Sequence, residues 1–219
     1  MKPILFNTEM VRAILEGRKA VTRRVVKPQP PATSVVRKRG CAWEWSFWAD
    51  CDMGHLMQPP YKPGDILWVR ETFRVDYLSN IPGAGRVQYK DGTYMDIRFA
   101  PERYDMMRRA QRKPGWRPNE NMPREAARLF LRVTDVRVER LRDLTITDLQ
   151  NEGIMPEGYI SQYSALTSDY FEQFRELWDR TIKPADLTLY GWEANPWVWV
   201  IEFEWIGKDE ALGGGGDAN

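Results

Sequence analysis

The spacing of apolar residues along the chain changes from helical to strand-like several times. An apolar stripe at spacings of three and four predicts a short first helix that Asn7 or Thr8 caps and Gly17 ends. Alternation of polar and apolar residues predicts four longer strands, over 19–26, 66–73, 126–140 and 197–205. Helical spacing returns over 143–151 and 170–178.

Polar and proline-rich segments separate these elements. The segment 27–60 contains an aromatic cluster, Trp43 to Trp48, which is either a loop or a short hairpin strand. The segment 74–124 contains a hairpin around Asp91-Gly92 and is otherwise expected to be a surface insertion. Because no βαβ unit repeats, the pattern favours an α+β fold, a mixed β-barrel with helices at its rim, over a doubly wound sheet.

Composition limits the partners that the chain can have. The 219 residues suit one domain with large insertions. Lysine and arginine total 32 against 31 aspartate and glutamate, so the chain lacks the overall basic field of a non-specific nucleic-acid binder, and any nucleic-acid site must be a local patch. No stretch reaches the ~20 apolar residues that cross a bilayer, and the first eight residues lack a secretory signal. We therefore expect a cytoplasmic protein without a membrane partner.

Cysteine and histidine are scarce, which narrows the possible chemistry. Cys41 and Cys51 are expected to be free thiols, although they could also form one disulfide. With His55 they make only three zinc ligands at an unsuitable spacing, so neither a metal nor a cofactor is expected. The lone histidine lies in a loop flanked by Gly54 and Pro59, which argues against a catalytic histidine. A hydrolase of this composition would use Lys, Glu, Asp or Tyr as its base.

Three segments carry a resemblance to a known family. They are ILEGRKAVTRR over 14–24, KPGDILWV over 62–69 and VIEF over 200–203. The most specific is the first, in which a helix ending in Gly-Arg-Lys is followed by Thr and Arg. Through these segments the chain resembles the ASCH domains of the PUA-like superfamily, and in overall form it is similar to the larger ASCH proteins of phages and prophages.

The resemblance has consequences for the fold. It implies a PUA-like mixed β-barrel with flanking helices, formed by a single domain over 1–207. Within that domain, three segments would be elaborations of a small core, at about 27–60, 74–124 and 154–195. The last residues, 208–219, are expected to form a flexible C-terminal tail.

The resemblance also implies an activity. Small bacterial ASCH enzymes hydrolyse N4-acetylcytidine to cytidine and acetate with a Lys, a Thr and a Glu. The matching positions in this chain are Lys19, Thr22 and Glu152. The implied function is therefore an amidohydrolase that acts on an N4-acylated cytidine-type nucleoside without a metal.

Elementary chemistry is consistent with these roles. A threonine hydroxyl is a poor nucleophile until a base removes its proton, and an uncharged lysine is one of the few bases available here. Burial and the neighbouring cations would lower the pKa of Lys19. Lys19 would then activate Thr22 or a water molecule, while Glu152 orients Lys19 and passes a proton to the leaving amine. Residue type alone favours a solvated lysine and an ordinary strand threonine at Lys19 and Thr22, and it is the resemblance that supports the catalytic roles.

Further candidates would bind the substrate. Three arginines stand beside the proposed base and three residues lie on the second predicted strand: Arg18, Arg23, Arg24, Trp68, Arg70 and Glu71. The arginines are also candidates for phosphate contacts with RNA, or for a charged strand edge that prevents aggregation. On the strand, alternation places Trp68 and Arg70 on one face and Glu71 on the other, where the arginine and the glutamate suit a pocket wall.

Two other functions stay open. One is a non-catalytic module that binds RNA or a modified base through the basic residues and the aromatic cluster, whose rings could stack on bases or simply cover a barrel end. The other is a ribonuclease in which Lys19 and Glu152 flank a phosphate. Protein partners are not indicated by any segment.

Overall fold

A computed structural model describes residues 1–31, 33–40, 42–47, 54–79, 83–111, 115–155 and 167–213. Cys41, Cys51 and Trp48 lie outside these ranges, so the thiol prediction and one member of the aromatic cluster are not placed. The chain divides into two compact units. Unit 1 comprises Met1–Gly17, Asp65–Arg132 and Glu204–Asn219, and unit 2 comprises Arg18–Gly64 and Val133–Phe203.

Strands and helices are both present, with more strands than helices. The strands are β1 Lys2–Leu5, β2 Val21–Val25, β3 Val35–Arg39, β4 Ala42–Ser46, β5 His55–Met57, β6 Ile66–Arg70, β7 Phe73–Leu78, β8 Ala84–Tyr89, β9 Tyr94–Arg98, β10 Phe130–Arg140 and β11 Trp197–Ile206. The helices are α1 Thr8–Leu15, α2 Pro101–Gln111, α3 Ile146–Asn151, α4 Thr167–Thr181, α5 Leu187–Tyr190 and α6 Lys208–Ala211. The predicted α+β class is confirmed, whereas the strand orders found among the described residues are open and close no barrel.

The strands of unit 1 pair in two groups. In the first, β6 runs parallel to β1 and antiparallel to the beginning of β10, with Phe130 opposite Trp68. The second has the order β7-β8-β9. Its β8–β9 turn contains Gly92 at φ +90°, which fits the hairpin predicted there. Helix α1 also follows its prediction, since the Asn7 side chain accepts from the Met10 N–H at 2.8 Å.

The core of unit 1 draws on segments that were expected to lie at its surface. Strands β8 and β9 and helix α2 supply buried side chains, among them Val87, Tyr89 and Met107. The segment 74–124 is therefore part of the packed structure rather than a surface insertion. The expected flexible tail is wrong for its first residues, because α6 places Ala211, 4 % exposed, in the same core.

The strands of unit 2 also pair in two groups. Strand β11 pairs antiparallel with β2, with Ile201 opposite Thr22, and its other neighbour is β10. The second sheet, β3-β4-β5, is formed by the aromatic segment, so the hairpin alternative is the correct one. A core of aromatic and aliphatic residues from α3, α4 and β11 includes Phe174 and Trp178.

The boundaries of two predicted elements differ from the structure. The strand predicted over 66–73 ends at Arg70, and the buried Glu71, whose N–H donates to the sulfur of Met122, separates β6 from β7. The helix predicted over 143–151 begins only at Ile146, because Thr145 caps it. No helix within the described ranges is both long and apolar enough to cross a membrane.

Candidate functional site

Lys19 and Glu152 are 133 positions apart in sequence and adjacent in unit 2. Helix α3 ends at Asn151, and Gly153 adopts φ +85°, a conformation that glycine adopts readily and that turns the chain at this point. The residues after α3 run antiparallel to the residues before β2. Lys19 and Glu152 form a β-bridge between the two segments, and the Ala20 N–H donates to the Asn151 carbonyl at 2.8 Å. Directly opposed residues of such a bridge project to the same face.

The side chains of this bridge form a buried ion pair. The Lys19 Nζ lies 2.6 Å from Oε2 of Glu152 and also donates to the Glu152 backbone carbonyl at 3.0 Å. Lys19 is 4 % exposed and Glu152 is 6 % exposed. Neither charge is therefore solvated by bulk water, and each depends on protein partners.

Burial shifts the pKa of the Lys19 amine. Burial lowers the pKa of Lys19 below its ordinary value near 10.5, and the nearby Glu152 carboxylate opposes this shift. Arg24 and Arg23 lower the pKa of Lys19 further, because a second positive charge disfavours the ammonium form. The direction agrees with the one expected from the basic sequence around Lys19.

Arg23 holds the other oxygen of the same carboxylate. Its Nη1 lies 3.1 Å from Oε1 of Glu152, and its Nη2 lies 3.1 Å from Asp148 and 3.7 Å from Glu139. Arg23 is 3 % exposed, and its charge is directed at carboxylates inside unit 2, of which Glu152 is buried while Asp148 and Glu139 are partly exposed. In this arrangement Arg23 fixes the position of Glu152, a role that the phosphate-contact hypothesis did not include.

Thr22 is buried on the adjoining strand. It is 1 % exposed and lies between Val21 and Arg23 on β2. Strand alternation directs Thr22 to the face opposite Arg23, together with Arg24. Burial lowers the pKa of Arg24, with Tyr61 and Glu152 opposing that shift.

Arg18 and the three candidates on the second predicted strand have partners of their own. Arg18 donates to the Gly153 carbonyl at 2.8 Å, which ties the two sides of the bridge together. In unit 1, the Arg70 guanidinium lies 5.2 Å from the ring centre of Trp68, so these two side chains share a face as predicted. The Arg70 guanidinium also donates to the Glu120 carbonyl.

Glu71 belongs to a separate charged cluster in unit 1. Arg128 donates to both of its carboxylate oxygens, at 2.8 and 2.7 Å, and to Asp91 at 2.7 Å. Burial raises the pKa of Glu71, and the hydrogen bonds from Arg128 oppose this. The Arg128 guanidinium also lies 4.0 Å from the ring centre of Tyr89. The cluster joins β6 to the β8–β9 hairpin.

Sequence reasoning missed Asp148 and Arg128. Asp148 was recognisable from the pattern Thr145-x-x-Asp148 at a helix start, and its carboxylate indeed accepts from the Thr145 N–H at 2.8 Å. Its second contact, with Arg23, depends on how β2 and α3 meet and has no local signal. Arg128 reaches Glu71 across 57 positions, which is equally invisible in the linear pattern.

The described residues include no cluster of three or more His, Cys, Asp or Glu side chains suited to a metal ion. His55 is placed on β5, where its ring stacks on that of Trp45. No family model, curated protein or solved structure matches the chain.

Proposed function

We propose that the chain is an ASCH-type amidohydrolase that removes the acyl group from an N4-acylated cytidine-type nucleoside. The observation that carries this proposal is the 2.6 Å contact between Lys19 and Glu152, two buried residues that the family resemblance paired across 133 positions. The three motif segments contribute to β2, β6 and β11.

The buried lysine supplies the base. A protonated amine cannot accept a proton, and a lysine in water is protonated at neutral pH. Because burial lowers the pKa of Lys19, its neutral form is more abundant than that of an exposed lysine. Lys19 removes the proton from the attacking group, and the new bond forms to the acyl carbon of the substrate.

Glu152 completes the proton transfer. The proton taken by Lys19 passes along the 2.6 Å contact to Glu152, which delivers it to the N4 nitrogen as the acyl carbon–nitrogen bond breaks. The products are cytidine and the carboxylic acid, so one water molecule is consumed. Arg23 keeps the carboxylate in place through its 3.1 Å contact.

Two attacking groups fit this chemistry: the Thr22 hydroxyl, which would form an acyl-enzyme, or a water molecule. Strand alternation directs Thr22 away from the face on which Arg23 meets Glu152, and this favours water. Mass spectrometry of the protein mixed with N4-acetylcytidine distinguishes them. A transient acetyl group on Thr22 would identify the hydroxyl as the nucleophile.

The test is hydrolysis of N4-acetylcytidine and related N4-acylated cytidines, followed by chromatography. Lys19→Met and Glu152→Gln are each expected to lower kcat by about 10²–10⁴-fold, the usual contribution of a general base or acid. Lys183→Met, an exposed lysine of the same unit, is the matched control and keeps full activity. Circular dichroism verifies that each variant is folded.

The pH profile provides a second readout. Because the base must be neutral, kcat is expected to rise with pH and to level off below the ordinary lysine value near 10.5. A folded Lys19→Met protein with undiminished activity contradicts the proposal, as does the absence of cleavage of every acylated cytidine tested.

A further inference from the structure

The sheet β3-β4-β5 of unit 2 has one face rich in aromatic rings. Strand alternation places Trp43 and Trp45 of β4 on this face, and the pairing sets Lys38 beside Trp43 and His55 beside Trp45. Phe47, immediately after β4, contacts Trp45. These five residues are termed the aromatic face.

The rings form a stack that ends on an exposed side chain. The rings of Trp45 and His55 are parallel to within 20°, and their centroids are 4.2 Å apart. Phe47 meets Trp45 edge-on at 5.6 Å. His55 is exposed, and Phe47 is 51 % exposed. Core packing would cover such rings, whereas an exposed stack can be extended by another planar ring system.

The other end of the aromatic face is fixed in place. Trp43 packs edge-on against Trp199 of β11, with ring centroids 6.4 Å apart, and Met57 on the same face is buried. The exposed rings therefore stand on a sheet that is anchored to the rest of unit 2. A ligand that stacks there meets rings that are already oriented, so little entropy is lost on binding.

A positively charged side chain, Lys38, lies beside these rings. The Lys38 Nζ lies 5.8 Å from the ring centre of Trp43, and Lys38 is exposed. Arg37 and Arg39 of the same strand pair instead with Glu44, so Lys38 is the cation that β3 directs towards the rings. The ligand that this charge favours is anionic.

We propose that the aromatic face binds single-stranded RNA. A planar base extends the stack from His55, and the phosphates lie near Lys38, which matches both the rings and the charge. In a duplex the base faces are stacked on one another and cannot stack on the protein rings. A neutral protein partner would not interact with the charge of Lys38. The choice of RNA over DNA rests on the proposed function, whose substrate is a ribonucleoside.

The test measures binding of a short fluorescent oligouridine by anisotropy, at several salt concentrations between about 50 and 200 mM. His55→Ala and Phe47→Ala are each expected to weaken binding at least about fivefold, the effect of losing one stacked base. Lys38→Ala is expected to reduce the slope of log affinity against log salt by about 0.7, the share of one phosphate contact. Tyr94→Ala and Lys183→Ala, both exposed, serve as the aromatic and charge controls.

Several outcomes overturn the inference. They are unchanged affinity in both aromatic variants, equal affinity for a duplex RNA of the same length, and equal or tighter binding of a single-stranded DNA oligomer of the same length. The oligouridine has no acylated cytidine, so the result does not depend on catalysis. A protein that binds it as expected but cleaves no acylated cytidine would refute the proposed function and leave this inference standing.

Discussion

Replacing Lys19 by methionine tests the energetic role of the buried ion pair. Methionine keeps much of the side-chain volume but removes the charge, so Glu152, 6 % exposed, loses its 2.6 Å partner. Removal of one member of a buried ion pair costs about 3–5 kcal/mol, because the remaining charge stays desolvated. Arg23 still lies 3.1 Å from the carboxylate, so we expect a loss at the lower end, about 3 kcal/mol in the free energy of unfolding.

The assay is urea unfolding at pH 7, followed by circular dichroism and tryptophan fluorescence on the same samples. Lys183→Met, which removes an exposed charge, is expected to change the free energy of unfolding by less than about 0.5 kcal/mol. A loss under about 1 kcal/mol for Lys19→Met would refute the reasoning, because that is the contribution of a solvent-exposed ion pair.

The same variant tests the direction of the lysine pKa shift. The folded-state pKa of Lys19 lies below its ordinary value near 10.5, so between these two values the unfolded chain binds more protons. The contribution of Lys19 to stability therefore rises as the pH increases through this window. The wild type should show this rise and Lys19→Met should lack it, which unfolding curves at a series of alkaline pH values would reveal.

Three other variants have defined outcomes. Gly191→Ala brings a Cβ to 2.6 Å from the Leu187 carbonyl oxygen and is expected to lower the free energy of unfolding by about 1–3 kcal/mol. Gly207→Ala, at the N-cap of α6, meets no atom within 4 Å and should cost less than about 1 kcal/mol. Arg128→Met leaves buried Glu71 without its two hydrogen bonds, and a loss of about 3–5 kcal/mol is expected. Urea unfolding measures all three variants, and equal stabilities of the two glycine variants would contradict the first prediction.

Local signals in the sequence were sufficient to predict many of the helices, strands and turns. The Asn7 cap and Gly17 delimit α1, and the Asp91-Gly92 turn joins β8 to β9, because each depends on residues only a few positions apart. Periodicity likewise predicted β11 within a residue or two. Among the site residues, the family resemblance selected Lys19 and Glu152, which the structure brings together.

Features that depend on distant contacts were not predictable from these signals. The periodicity of 74–124 does not reveal that Val87 and Tyr89 are buried, because burial is decided by the strands and helix that pack on them. For the same reason the sequence suggested Arg23 for substrate or phosphate contacts, or for a charged strand edge. It did not suggest the contacts of the Arg23 guanidinium with carboxylates from residues more than a hundred positions away.

The bridge between Lys19 and Glu152 also makes the candidate site a late product of folding. Closing a flexible loop of 133 residues costs on the order of 4 kcal/mol in chain entropy, before any constant term, and only the assembled structure repays this cost. Until then, Lys19 is hydrated and protonated like any free lysine. A nascent or partly refolded chain would thus have helices and hairpins before the contact between Lys19 and Glu152 forms, and the proposed activity should return more slowly than secondary structure after dilution from denaturant.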